Sequence, residues 1–269
     1  MHTAAAPMEI GQVTLTVHDL ARSADFYARA LGLSKRTADA AQVTLGAGDR
    51  TLVTLIADPA ARARSPREAG LFHTAFLLPD RPALARWLHH AATTRLPLQG
   101  ASDHKVSEAI YLADPEGNGI EVYVDRPRAQ WTARDGAIQM TTDPLDLADL
   151  AAGANGPWTG APDGTVVGHV HLQVGDVAQA QAFYTGTLGF PVTATYPGAA
   201  FYGSGGYHHH FATNVWNSRG AGPRTPSTGL TSVEILADAA SVAAIAAKTG
   251  GQTTLIDPWN TRITLSEKR

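Results

Sequence analysis

The chain repeats itself, and that narrows its fold more than any other feature. Residues 10–33 read IGQVTLTVHDLARSADFYARALGL and residues 167–190 read VGHVHLQVGDVAQAQAFYTGTLGF. They align without a gap: Gly11 with Gly168, Asp19 with Asp176, Phe26 and Tyr27 with Phe183 and Tyr184, Gly32 with Gly189. Self-similarity of this kind means one supersecondary unit used more than once. Each copy opens with period-two alternation (Val13, Leu15, Val17; Val170, Leu172, Val174), the pattern of a half-buried strand. Asp19 or Asp176 then stands at an N-cap, and an amphipathic helix follows, closed by Leu-Gly.

A fainter generation of the repeat lies inside each half. LFHTAFLL at 71–78 is another strand, followed by a helix through 82–95 and strands ending in IYLADPEGNGIEVYV at 110–124. In the other half the strand is 230–236, the helix 238–249, and the end TTLIDPWNTRITLS at 253–266, so that Asp114-Pro115 matches Asp257-Pro258. The expected fold class is α+β, built from four βαβββ modules. Residues 1–128 hold the first two modules and residues 166–269 the last two. Residues 129–165, rich in Pro, Gly, Asp and Ala, form a connector with a short helix at 145–152.

With no Cys in 269 residues, disulfides, thiolate nucleophiles, iron–sulfur clusters and Cys-bound zinc are excluded. The 11 His are therefore the informative count, because a transition metal would have to use imidazole and carboxylate. A net charge of −3 gives no basic field for nucleic acid or an anionic membrane. The start, MHTAAAPMEIG, lacks the basic and apolar regions of a signal peptide, and no apolar run approaches the roughly 20 residues of a membrane span. The expectation is a cytoplasmic protein with no nucleic-acid or membrane partner; a homo-oligomer is compatible with the sequence.

Strand parity then selects candidates. Residues alternating with the apolar set face the other side of a sheet. On the opening strands of the four modules that set begins with Gln12, His73, His169 and Ser232. On the closing strands of the even modules it contains Glu121 and Thr264. His2, His18, His89 and His90 join no such set.

The strand–helix pattern, with FY in the helix, LG at its end and DPEGNGIE at the close of a half, resembles the vicinal-oxygen-chelate superfamily. That group is also described as glyoxalase/bleomycin resistance/extradiol dioxygenase. VSEAIYLADPEGNGIEVYVDRPR and GGYHHHFATNVW resemble its two-domain bacterial catechol 2,3-dioxygenase-like branch. The resemblance implies mixed, curved sheets forming half-barrel clefts, each built from two modules. Pairing the second module with the third collects His73, Glu121 and His169 around one point. That is the donor set of oxygen-activating ferrous enzymes. The other pair collects only Gln12, Ser232 and Thr264, with Glu234 as a lone carboxylate.

The implied cofactor is Fe(2+), with Mn(2+), Ni(2+) or Zn(2+) as alternatives, and the implied substrates are a small aromatic diol and O2. Carried over residue by residue, the catalytic groups are His209, Tyr111 and the loop residue His104. His171, His210 and Tyr123 are candidate substrate contacts. Parity on a strand over 207–216 would put His208 and His210 on one face and His209 on the other, so the choice among the three stays open. Two rival readings are a glyoxalase- or isomerase-type metalloenzyme and a metal-free resistance protein that binds a small molecule.

Overall fold

The structure, a computed structural model, describes residues 6–268; His2 lies outside them. The first module runs through β1 (Met8–Val17), α1 (Leu20–Leu31), β2 (Ser34–Ala38), β3 (Gln42–Ala47) and β4 (Arg50–Ala57). The second comprises β5 (Gly70–Leu77), α2 (Arg81–Thr93), β6 (Leu98–Asp103), β7 (Ser107–Ala113) and β8 (Gly119–Asp125). The segment after it carries three two-residue strands, β9 (Ala133–Arg134), β10 (Ala137–Ile138) and β11 (Asp143–Pro144), and helix α3 (Leu147–Ala152). The third module has β12 (Val166–Gln173), α4 (Val177–Gln181), β13 (Val192–Tyr196), β14 (Ala199–Tyr202) and β15 (Phe211–Asn214). The fourth has β16 (Gly229–Ala237), α5 (Ala239–Thr249), β17 (Thr254–Ile256) and β18 (Arg262–Glu267).

Local chemistry sets the helix ends. Asp19, Asp80, Asp176 and Asp238 each accept a first-turn backbone N–H, which satisfies a donor the helix itself cannot. Gly32 closes α1 at φ 69°, the left-handed geometry that glycine adopts without strain. The second copy departs from the expected regular helix. After five residues α4 widens into a π-helical stretch over Ala182–Thr187. Thr185, Gly186 and Thr187 are weak helix formers, so the repeat's sequence no longer enforces a regular turn there.

The repeated motifs also meet each other. Tyr27 of the FY pair donates to Asp114 of the DP pair at 3.3 Å, and Tyr184 donates to Asp257 at 3.0 Å. The same carboxylates accept the turn amides of Glu116 and Asn118, and of Trp259 and Thr261. Each half is therefore stitched from an odd module's helix to an even module's turn.

The sheets do something different. One has the order β17-β18-β16-β1-β4-β3-β2 and joins the first module to the fourth. The other has the order β11-β6-β7-β8-β5-β12-β15-β14-β13 and joins the second to the third, with β5 and β12 antiparallel at its centre. Helices and sheets enclose an apolar core containing Leu15, Tyr27, Phe76, Trp87, Tyr184 and Phe211. Each such side chain contributes about 1.5–3 kcal/mol by leaving water. No helix among the described residues is long and apolar enough to cross a membrane.

Candidate metal centre

Three adjacent strands at the middle of the nine-stranded sheet carry the candidate ligands. In register, Glu121 on β8 lies beside Ala75 on β5, and Ala75 lies beside His169 on β12. His73 shares Ala75's face, two residues earlier on the same strand. Ala75 itself is fully buried, packed with Ala109 and Tyr123. A register shift between Val167 and His169 helps aim His169. Gly168 sits in that shift because a Cβ there would strike the Tyr123 hydroxyl.

The donors converge. Glu121 Oε2 is 2.9 Å from His73 Nε2 and 3.4 Å from His169 Nε2, and the two imidazole nitrogens are 3.3 Å apart. All three residues are buried, and their ligating atoms lie within 4.8 Å of one another. Two donors at about 2.1 Å from one ion sit no more than about 4.2 Å apart, so these separations fit a shared cation. Burial pushes the Glu121 carboxyl up, but His169 and His73 outweigh it and hold the group well below the usual carboxylate range. Burial lowers His169 to about 4 against the opposing pull of Glu121. An ionised carboxylate beside a neutral His169 ring is the protonation state that metal binding requires.

This cluster lies at a cavity of about 590 Å³ that is lined by all three residues. His209 lines it too, with its ring centroid 4.1 Å from that of His169. On the other side His104 donates from Nδ1 to the Thr141 carbonyl at 2.6 Å, leaving Nε2 to accept from the Tyr111 hydroxyl at 2.6 Å. Burial and the Glu121 charge push the Tyr111 hydroxyl well above its ordinary value, so it stays protonated. His171 is held by the Asn214 amide at 2.9 Å and lines the cavity next to Phe72 and Trp216.

Two candidate substrate contacts are not brought to the cavity. His210 is fully buried in the apolar interior, accepting the Ser204 amide at 3.1 Å and packing near Phe190 and Tyr207. Tyr123 is fully buried beneath His169, its hydroxyl bonded to that of Tyr207 at 2.8 Å. The strand expected over 207–216 begins only at Phe211, so His208, His209 and His210 lie in the loop before it, and of the three His209 lines the cavity while His208 and His210 do not.

Sequence reasoning also missed part of the wall. Ile138, Gln139, Met140 and Thr141 of the connector line the cavity, as do Phe72, Phe201 and Trp216. Only the apolar residues in an otherwise polar connector hinted at this. In the opposite sheet, the matching cleft is tied shut by side chains. Thr54 donates to Gln12 at 2.9 Å, Gln12 donates to Glu234 at 3.3 Å, and Ser266 donates to Glu234 at 2.6 Å. The group of three potential metal donors found among the described residues is the one on the nine-stranded sheet.

The chain matches the family model described as the Glyoxalase/Bleomycin resistance protein/Dioxygenase superfamily over residues 9–122 and 166–252, and it belongs to that superfamily. It is 43% identical over 233 residues to a catechol-2,3-dioxygenase of Bacillus subtilis strain 168, covering 82% of this chain and 80% of that protein. Among solved structures, glyoxalase I of Zea mays aligns with a TM-score of 0.57 at 16% identity, over 97% of this chain and 92% of the other. The cppA protein of Streptococcus pneumoniae TIGR4 aligns with a TM-score of 0.55 at 10% identity, over 96% and 100%. At these identities the two structures speak for the fold alone.

Proposed function

We propose that the chain is an extradiol ring-cleaving dioxygenase that acts on a catechol-type diol with Fe(2+) and O2. The observation that carries this reading is the convergence of His73, Glu121 and His169 at a cavity that also holds His209 and Tyr111. The named relative, a catechol-2,3-dioxygenase, supports it. Two imidazoles and one carboxylate suit ferrous iron, which when bound supplies the redox chemistry for O2 to react with an electron-rich ring.

The chain's own residues do the rest. Tyr111, locked by His104, presents its oxygen to a substrate hydroxyl and fixes the ring's orientation. His209 Nε2 accepts a proton from the diol and returns it later to the oxygen released as the ring opens. Phe72, Phe201 and Trp216 pack on the ring and reduce access for water. Both atoms of one O2 enter the product, giving a ring-opened hydroxy acid aldehyde or its analogue.

A glyoxalase-type site calls for a fourth protein donor, and the cluster here has three members. A metal-free binding protein has no use for a buried carboxylate between two imidazoles. Protein loaded anaerobically with Fe(2+) should consume O2 and catechol one for one and form a yellow product. Loaded protein that takes up no O2 with catechol or alkylated catechols would contradict the proposal.

A further inference from the structure

His209 does not stand alone. Its Nδ1 is 2.8 Å from His208 Nδ1, and His208 Nε2 is 2.8 Å from Asp125 Oδ1. Asp125 ends β8 in the second module, whereas the two histidines belong to the third. The same carboxylate oxygen accepts from the Tyr207 hydroxyl at 3.1 Å. Tyr207 and Trp131 pack beside the His208 ring, with centroids 4.1 Å and 5.1 Å away, and His208 is fully buried.

We propose that Asp125 and His208 are positioning residues that fix which nitrogen of His209 carries its proton. The inference rests on the reading of His209 as the acid/base group. A carboxylate can only accept, so the His208 proton sits on Nε2. With its one ring proton on Nε2, His208 presents a lone pair at Nδ1, and across the 2.8 Å contact His209 donates from its own Nδ1. His209 is thereby left with its lone pair on Nε2, in a ring that lines the cavity. That is the state a base needs: it can take a diol proton, while its Nδ1–H stays bonded to His208 and the growing positive charge is shared toward Asp125. An unconstrained imidazole favours the opposite tautomer, which would present a donor to the diol and no base. The device also explains why His208 and His209 are adjacent on a loop. A strand would send the two rings to opposite faces and prevent the contact.

The test reads the tautomer directly. Side-chain nitrogen-15 NMR on the full chain loaded with diamagnetic Zn(2+) should show His209 protonated at Nδ1 and bare at Nε2. In Asp125→Ala the pattern should shift toward a proton on Nε2, with metal content unchanged. With Fe(2+), kcat should fall roughly 10²-fold while KM for catechol stays the same. Asp125→Asn, whose amide oxygen still accepts from His208, should keep the wild-type tautomer and most of kcat.

A wild-type His209 protonated on Nε2 would overturn the proposal, and so would an unchanged pattern in Asp125→Ala. The wild-type spectrum decides by itself if Asp125→Ala does not fold. Failure to cleave any catechol would instead sink the acid/base role of His209, and the NMR assignment would show whether the relay exists regardless.

Discussion

Glu121→Gln separates a metal ligand from a structural ion pair. Glu121 is 2% exposed and touches both imidazoles. If its purpose were to pair with histidine, its loss would strand buried polar groups and cost about 3–5 kcal/mol. If it waits for a cation, the outcome differs. The glutamine amide keeps a hydrogen bond to an imidazole and gives up only the charge-assisted share of the carboxylate's pairing, so the metal-free variant should lie within about 1.5 kcal/mol of metal-free wild type.

The difference should then emerge on adding metal. At a free ion concentration of 100 Kd the wild type gains about 2.7 kcal/mol. For a chain of this size that raises Tm by roughly 5–10 °C. The variant should lose most of this gain, because two imidazoles alone make a poor chelate. Differential scanning fluorimetry of both proteins, stripped with chelator and titrated with Fe(2+) under argon or with Zn(2+), reads the effect. A metal-free variant destabilised by several kcal/mol, with its metal-induced shift intact, would mean that Glu121 is a structural ion pair and not a ligand.

Metal analysis should find about one divalent ion per chain, and Ser232→Ala or Thr264→Ala should leave it unchanged, because the second cleft is filled by the Gln12–Glu234 network; two internal ions would contradict this. His209→Asn should keep the metal but lower kcat by roughly 10²–10⁴, and a loss of metal instead would mean that His209 is a ligand. His169 is held at about 4, below the 6.5 of an exposed imidazole, so between those values the unfolded chain binds a proton that the folded chain does not. Stability of the metal-free protein should therefore rise with pH across that window, by up to about 3 kcal/mol for this ring, and level off above it. A urea midpoint that stays flat across the same window would speak against a neutral, buried His169.

Much of this site could be read in the sequence because repeats convert position into geometry. Once Gly11 and Gly168 align, the opening strands of the four modules can be compared, and His73 and His169 stand out against Gln12 and Ser232. Parity then picks out Glu121. The departure lies where a strand is expected and a loop stands. The stretch from Tyr207 to His210 looked like the start of β15, but its backbone turns, and the His208–His209 contact exists only because it does. His210 and Tyr123, candidate substrate contacts, each find a partner in the interior instead, at Ser204 and Tyr207. The connector's role was hidden for another reason. Ile138 and Met140 have no periodicity to betray them, and only tertiary packing brings them against the cavity.

The most direct test of the shared centre is anomalous diffraction at the iron edge from crystals of the full chain loaded anaerobically with Fe(2+). One strong peak per chain is expected, within bonding distance of His73 Nε2, His169 Nε2 and a Glu121 carboxylate oxygen. A peak at any other set of residues, or no internal peak from protein that still cleaves catechol, would contradict a shared centre at these residues.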